Sequence, residues 1–154
     1  MLRKFILIFC LTMVFNSHAN STEAFKVVQD FFAATSANDL QAVRNSATKD
    51  FQLLEIDEIW DMDFLINLME KANKEVKRRN FFKVVKQVNN ENMIWISYWN
   101  KAEFSFKDNP PRPVFWLESV VLIKQNNHWL IQMLHSSRVP AEKLPKDIKF
   151  EEYI

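Results

Sequence analysis

A glutamate and a histidine set into one strongly apolar hairpin are the residues best placed by type and spacing to do chemistry. The segment is WLESVVLIKQNNHWLIQMLHSSR, Trp116 to Arg138, two apolar runs joined by Asn126-Asn127. If the two asparagines form a two-residue turn, Glu118 lies opposite His135, Val120 opposite Met133 and Leu122 opposite Ile131. That face is apolar apart from the Glu118/His135 pair, flanked by Trp116 and Ser137. Burial is costly for either charge alone, and the carboxylate favours the protonated imidazole. The pair therefore reads either as a general acid/base couple or as a buried hydrogen bond that pins the register. One residue more or less in the turn changes the parity and separates them.

The neighbouring strand, MIWISYWNKAEF, carries Tyr98, Asn100 and Phe104 on one face and Trp95, Trp99 and Lys101 on the other. The Tyr98 set is expected to line the pocket, with Ala102 opposite Glu118. Expected lining residues are thus Tyr98, Asn100, Phe104, Trp116, Met133 and Ser137.

Other chemistries fit less well. Ser136 points to the opposite face from His135, and a nucleophile elbow is barred in a chain with no glycine. Only His128 and His135 follow the leader, and the one cysteine, Cys10, lies within it, so no transition-metal spacing exists and no cofactor is called for. The acidic group Asp57, Glu58, Asp61 and Asp63 lacks the glycine turn of a calcium loop and reads as helix capping and solvated loop. The basic run Lys77-Arg78-Arg79 reads as the end of a helix, interacting with its dipole.

The elements that must position these residues follow from periodicity. Residues 1–19 read as a cleaved signal peptide: Arg3 and Lys4, the apolar run Phe5 to Phe15, then Ser17-His18-Ala19. About eleven apolar residues fall short of the ~20 of a membrane span, so the expected location is secreted or periplasmic, with no stable membrane span after cleavage. Without Arg3 and Lys4 the 20 basic residues become 18 against 19 acidic ones, which argues against a nucleic-acid partner. The mature part is long enough for one domain, 20–138, and a tail, 139–154, punctuated by Pro140 and Pro145 and expected to run extended.

Ala24, Val27, Val28, Phe31, Phe32 and Thr35 recur at helical spacing. Asn38 with Gln41 reads as a second helix start, DFQLLEIDEIW as a small strand or hairpin, and Asp61 or Asp63 as the cap of a third helix. With no glycine, turns fall to Asn89-Asn90, Asp108-Asn109-Pro110-Pro111 and Asn126-Asn127. They delimit four strands, roughly 79–89, 92–107, 113–125 and 128–137. Helices at one end and antiparallel strands at the other make an α+β fold.

The stretch ANDLQAVRNSATKDF after the first helix, together with the closing hairpin and its Trp129, Ile131, His135, Ser136 and Ser137, resembles the nuclear transport factor 2-like superfamily, which includes SnoaL-like and ketosteroid isomerase-like proteins. The resemblance spans about residues 22–138. It implies a cone-shaped curved antiparallel sheet wrapped around N-terminal helices, a pocket between them, and a homodimer. The catalytic aspartate of the isomerases has no counterpart that can be placed here. The expectation is a binder of a small apolar molecule anchored by Glu118 and His135. The alternatives are an isomerase- or cyclase-type enzyme using that pair, and a non-catalytic assembly or immunity module.

Overall fold

The computed structural model describes residues 17–154, with side chains described from residue 23 onward. The apolar stretch read as a signal sequence lies outside the described residues, apart from Ser17-His18-Ala19 at the start of the first helix. Helix α1 (Ser17–Ala37) leads into α2 (Leu40–Asn45), strands β1 (Ala47–Glu55) and β2 (Glu58–Trp60), and α3 (Met62–Lys71). Four long strands follow: β3 (Lys77–Asn89), β4 (Met93–Ser105), β5 (Arg112–Gln125) and β6 (His128–Val139). A short 3-10 turn and β7 (Glu151–Tyr153) complete the chain.

Local chemistry places the boundaries. Asp39 caps α2, its carboxylate accepting from the Ala42 N–H at 3.0 Å, so the helix starts one residue after the expected Asn38, which instead takes φ 55°. Asp61 caps α3 through the Phe64 N–H at 2.8 Å. The Asn126-Asn127 turn has φ of 50° and 64°, the paired left-handed conformation of a tight hairpin turn that asparagine tolerates in the absence of glycine.

The strands form one sheet in the order β2-β1-β6-β5-β4-β3-β7. It is antiparallel except for β1, which lies parallel to β6. That pairing departs from a purely antiparallel expectation. Beyond β6 the tail makes the 3-10 turn Ala141–Lys143 and adds a strand, β7, to the edge of β3. There Tyr153 donates to Asp30 at 2.6 Å, tying the C-terminus to α1.

The concave face of the sheet packs on α1. Phe25, Phe82 and Tyr98 meet edge to face with centroids 5.2–6.1 Å apart, and Phe32 joins them against Phe82 at 5.7 Å. Beneath these rings Ile94, Ile96, Val120, Leu122 and Ile131 are essentially inaccessible to solvent. This core fills one end of the cone and leaves the other end open, between α1, α3 and the ends of β1, β3, β5 and β6.

One irregularity determines what faces that opening. From the turn, β5 and β6 pair as expected as far as Leu122 opposite Ile131, and then a β-bulge at Gln132 shifts the register by one. Beyond it Val121 faces Met133, Glu118 faces Ser136 and Ser119 faces His135. The expected Glu118/His135 pair is therefore not formed. Glu118 points inward and His135 outward. Ala102 lies opposite Val114, and it is Tyr98 that faces Glu118. The basic run also differs from its expected place, since α3 ends at Lys71 and Lys77-Arg78-Arg79 open β3, with Arg78 turned into the cone.

Candidate functional site: a buried carboxylate and a guanidinium in an aromatic hollow

At the open end of the cone is a cavity of about 200 Å³. Its apolar walls come mainly from Phe31, Phe32, Leu53, Trp60, Leu65 and Trp116, and its polar groups are Thr35, Glu55, Arg78, Glu118 and Ser136. A larger groove of about 580 Å³ runs beneath Phe104 and Pro110–Pro113, but no carboxylate lines it.

Glu118 forms the polar floor and is only 4% exposed. The Asn100 side-chain amide donates to its Oε2 at 3.1 Å, and the Ser136 hydroxyl to its Oε1 at 3.2 Å. Burial pushes its carboxyl up to about 7, against the opposing pull of Tyr98, Asn100, Arg78 and Ser136. The Tyr98 hydroxyl is fully buried beside this carboxylate without a well-formed hydrogen bond of its own, and desolvation with the neighbouring charge drives its pKa well upward. Glu55, half-buried on β1, is likewise raised by burial, and Ser136 lies between the two carboxylates.

Arg78 faces them from β3. Its guanidinium lies against three rings, Phe32, Phe104 and Trp116, at 5.1, 5.5 and 5.9 Å from their centroids. Its Nε donates to Asn80 Oδ1 at 2.7 Å. Asn80 is itself fastened, its amide donating to the Phe32 carbonyl at 3.2 Å and to Ser36 Oγ at 2.7 Å on α1. Burial lowers the arginine to about 10, so it stays cationic at neutral pH.

Of the residues singled out from sequence, Glu118 and Trp116 line the cavity; Tyr98, Asn100 and Phe104 share their concave face without lining it, and His135 and Ser137 are exposed on the other face. Met133 is half-buried at the bulge and does not line the cavity. Arg78, Glu55 and Ser136 were missed. Ser136 had a usable signal, its small polar side chain one step from His135. Arg78 had none, because a strand start and a helix end look alike in so charged a segment. Among the described residues no cluster of three potential metal ligands occurs, and no helix is long and apolar enough to cross a membrane.

No protein-family model matches the chain, and no curated protein is a significant sequence relative. Solved structures do resemble it. A ketosteroid isomerase-like protein from Erwinia carotovora atroseptica superposes with a TM-score of 0.63 at 14% identity, over 77% of this chain and 95% of that one. An NTF2-like protein from Cytophaga hutchinsonii gives 0.62 at 8%, over 79% and 98%. The association domain of C. elegans CaMKII gives 0.65 at 17%, over 77% and 95%. At these identities the likeness shows the fold, which is nuclear transport factor 2-like, an α+β cone.

Proposed function

We propose that this chain of nuclear transport factor 2-like fold is a secreted or periplasmic protein that binds a small, mostly apolar molecule in its cone. The observation that carries the reading is Glu118, a carboxylate buried to 4% exposure at the floor of an aromatic cavity. Burying an ionisable group costs stability, and a chain that needed only a core would fill the hollow with apolar side chains. The cavity lies below the ~300–1,000 Å³ usual for drug-sized ligands, so the ligand is small.

The proposal extends to a homodimer through the outer face of the sheet. There Met93 pairs with Ile123, Trp95 with Val121 and Trp99 with Leu117, an apolar stripe along β4 and β5 with Leu117 41% and Met93 43% exposed. An assembly role draws support from the same stripe and from the likeness to the CaMKII association domain.

A second reading, an enzyme of isomerase or cyclase type, is favoured by the place of Glu118 on the cavity floor, where burial pushes its carboxyl up to about 7, the range in which a general acid or base works best. His135 has no part in that reading, since it stands on the far side of the sheet.

The test is the mass of the purified mature chain, residues 20–154, under native conditions. A dimer carrying a small additional mass is expected. A chain that carries no small molecule and retains none from a library of small apolar compounds overturns the binding reading. The enzyme reading requires that Glu118→Gln lower turnover of a recovered ligand by ~100-fold or more.

A further inference from the structure

The cone holds a charge whose hydrogen bonds are unfinished. Among the described residues Arg78 spends one donor, Nε, on Asn80, and its guanidinium forms no ion pair. The two carboxylates that line the same cavity, Glu55 and Glu118, are close enough to favour its positive charge but form no hydrogen bond or ion pair with it. The terminal nitrogens, four N–H donors in a planar fork, belong to a group held flat by Phe32, Phe104 and Trp116 and anchored through Asn80 to α1. Such a guanidinium is already fixed in place, so little rotamer freedom remains to be lost when a partner arrives. A neutral apolar ligand would shield the fork from water and give nothing back, which is costly for a charge. A cationic ligand would be repelled. An oxyanion matches the planar fork with two parallel hydrogen bonds.

Resting on the reading of this cavity as a ligand site, we infer that the ligand is a small organic monocarboxylate, with its carboxylate on the terminal nitrogens of Arg78 and its apolar body against Phe31, Leu53, Trp60 and Leu65. Glu118 completes the site from the floor. Its two oxygens accept from Asn100 and Ser136 and form no ion pair with Arg78, which leaves the terminal nitrogens to the ligand's carboxylate. In its protonated form it donates to a ligand oxygen, and a second negative charge in the ligand would be repelled by Glu55.

The experiment compares three acids, benzoate, phenylacetate and hexanoate, with their uncharged primary amides, which keep shape and size. Binding to the full purified chain is measured by calorimetry, and by the indole signals of the tryptophans in NMR, at pH 6. At least one acid is expected to bind about tenfold or more tightly than its amide, and Arg78→Gln to abolish that preference while amide binding persists. Amides that bind as well as their acids overturn the inference and leave the cavity's binding role standing. If neither acids nor amides bind, the inference and the reading beneath it fall together. Should Arg78→Gln not fold, the acid-to-amide ratio of the unmodified chain decides alone, and Arg78→Lys, which keeps charge without the fork, is expected to retain only part of the preference.

Discussion

On the inner face of the β5–β6 hairpin Glu118 is 4% exposed, faces Ser136 and is pushed by burial up to about 7; on the outer face His135 is exposed and faces Ser119. The two residues lie on neighbouring strands, and either could serve acid/base chemistry by type. What separates them is the single extra residue at Gln132, which carries one across the sheet from the other. Side-chain type sets what a group can do, and the low-dielectric hollow sets whether it is tuned to do it.

The contrast between faces is broken most severely along β4. Tyr98→Ala removes a fully buried ring packed on Phe25 and Phe82 and should cost about 3–5 kcal/mol in urea unfolding. Its outward neighbour Trp99, half-buried, lies on the stripe proposed as the dimer face, and on that proposal Trp99→Ala should shift the chain towards monomer in sedimentation.

Next in size is the pH dependence set by Glu118. The groups facing it are Arg78 on β3, Tyr98 and Asn100 on β4, Ser136 on β6 and, beyond Ser136, Glu55 on β1. Burial keeps the folded carboxyl protonated from its ordinary 4.5 up to about 7, so in that interval the folded chain binds the extra proton. Stability is therefore greatest below about pH 4.5 as far as this group is concerned, declines as pH rises to about 7, and levels off above it. The full effect is on the order of 3 kcal/mol. Melting curves across pH should show it, and Glu118→Gln should flatten it and raise the melting temperature at pH 8.

Deleting Gln132 sharpens the comparison. The bulge disappears, yet Leu134 and Ser136 keep their inward parity after Ile131, so Glu118 should still face Ser136. The expected loss is about 1 kcal/mol, from the bend and the Gln132–Asp50 hydrogen bond at 3.0 Å, with the acid-side stability profile retained. A chain that loses that profile would show that the bulge itself forms the site. Smallest of all, His135→Ala should change stability by no more than about 0.5 kcal/mol and leave ligand binding untouched. A large loss of either would mean that the imidazole reaches the cavity.

Local rules carried a great deal. Helical spacing marked α1, a carboxylate before an apolar repeat marked α3, and asparagine pairs in a chain without glycine marked the hairpin turns, because each of these depends on residues near in sequence. The strand bounds came within about two residues for the same reason, and alternation along β4 put Tyr98, Asn100 and Phe104 on one face. The site is another matter. It joins Glu55, Arg78, Glu118 and Ser136 from four strands, and their meeting depends on a parallel β1–β6 pairing and on one bulged residue. Neither leaves a local trace, since a bulge changes no side chain and its energy lies in the curvature of the whole sheet. Sequence alone determined which residue types were available and which segments could alternate. Tertiary structure decided which of two acid/base residues was desolvated, because the turn sets the register only as far as Ile131, and the bulge beyond it answers to the packing of inward side chains in the folded sheet.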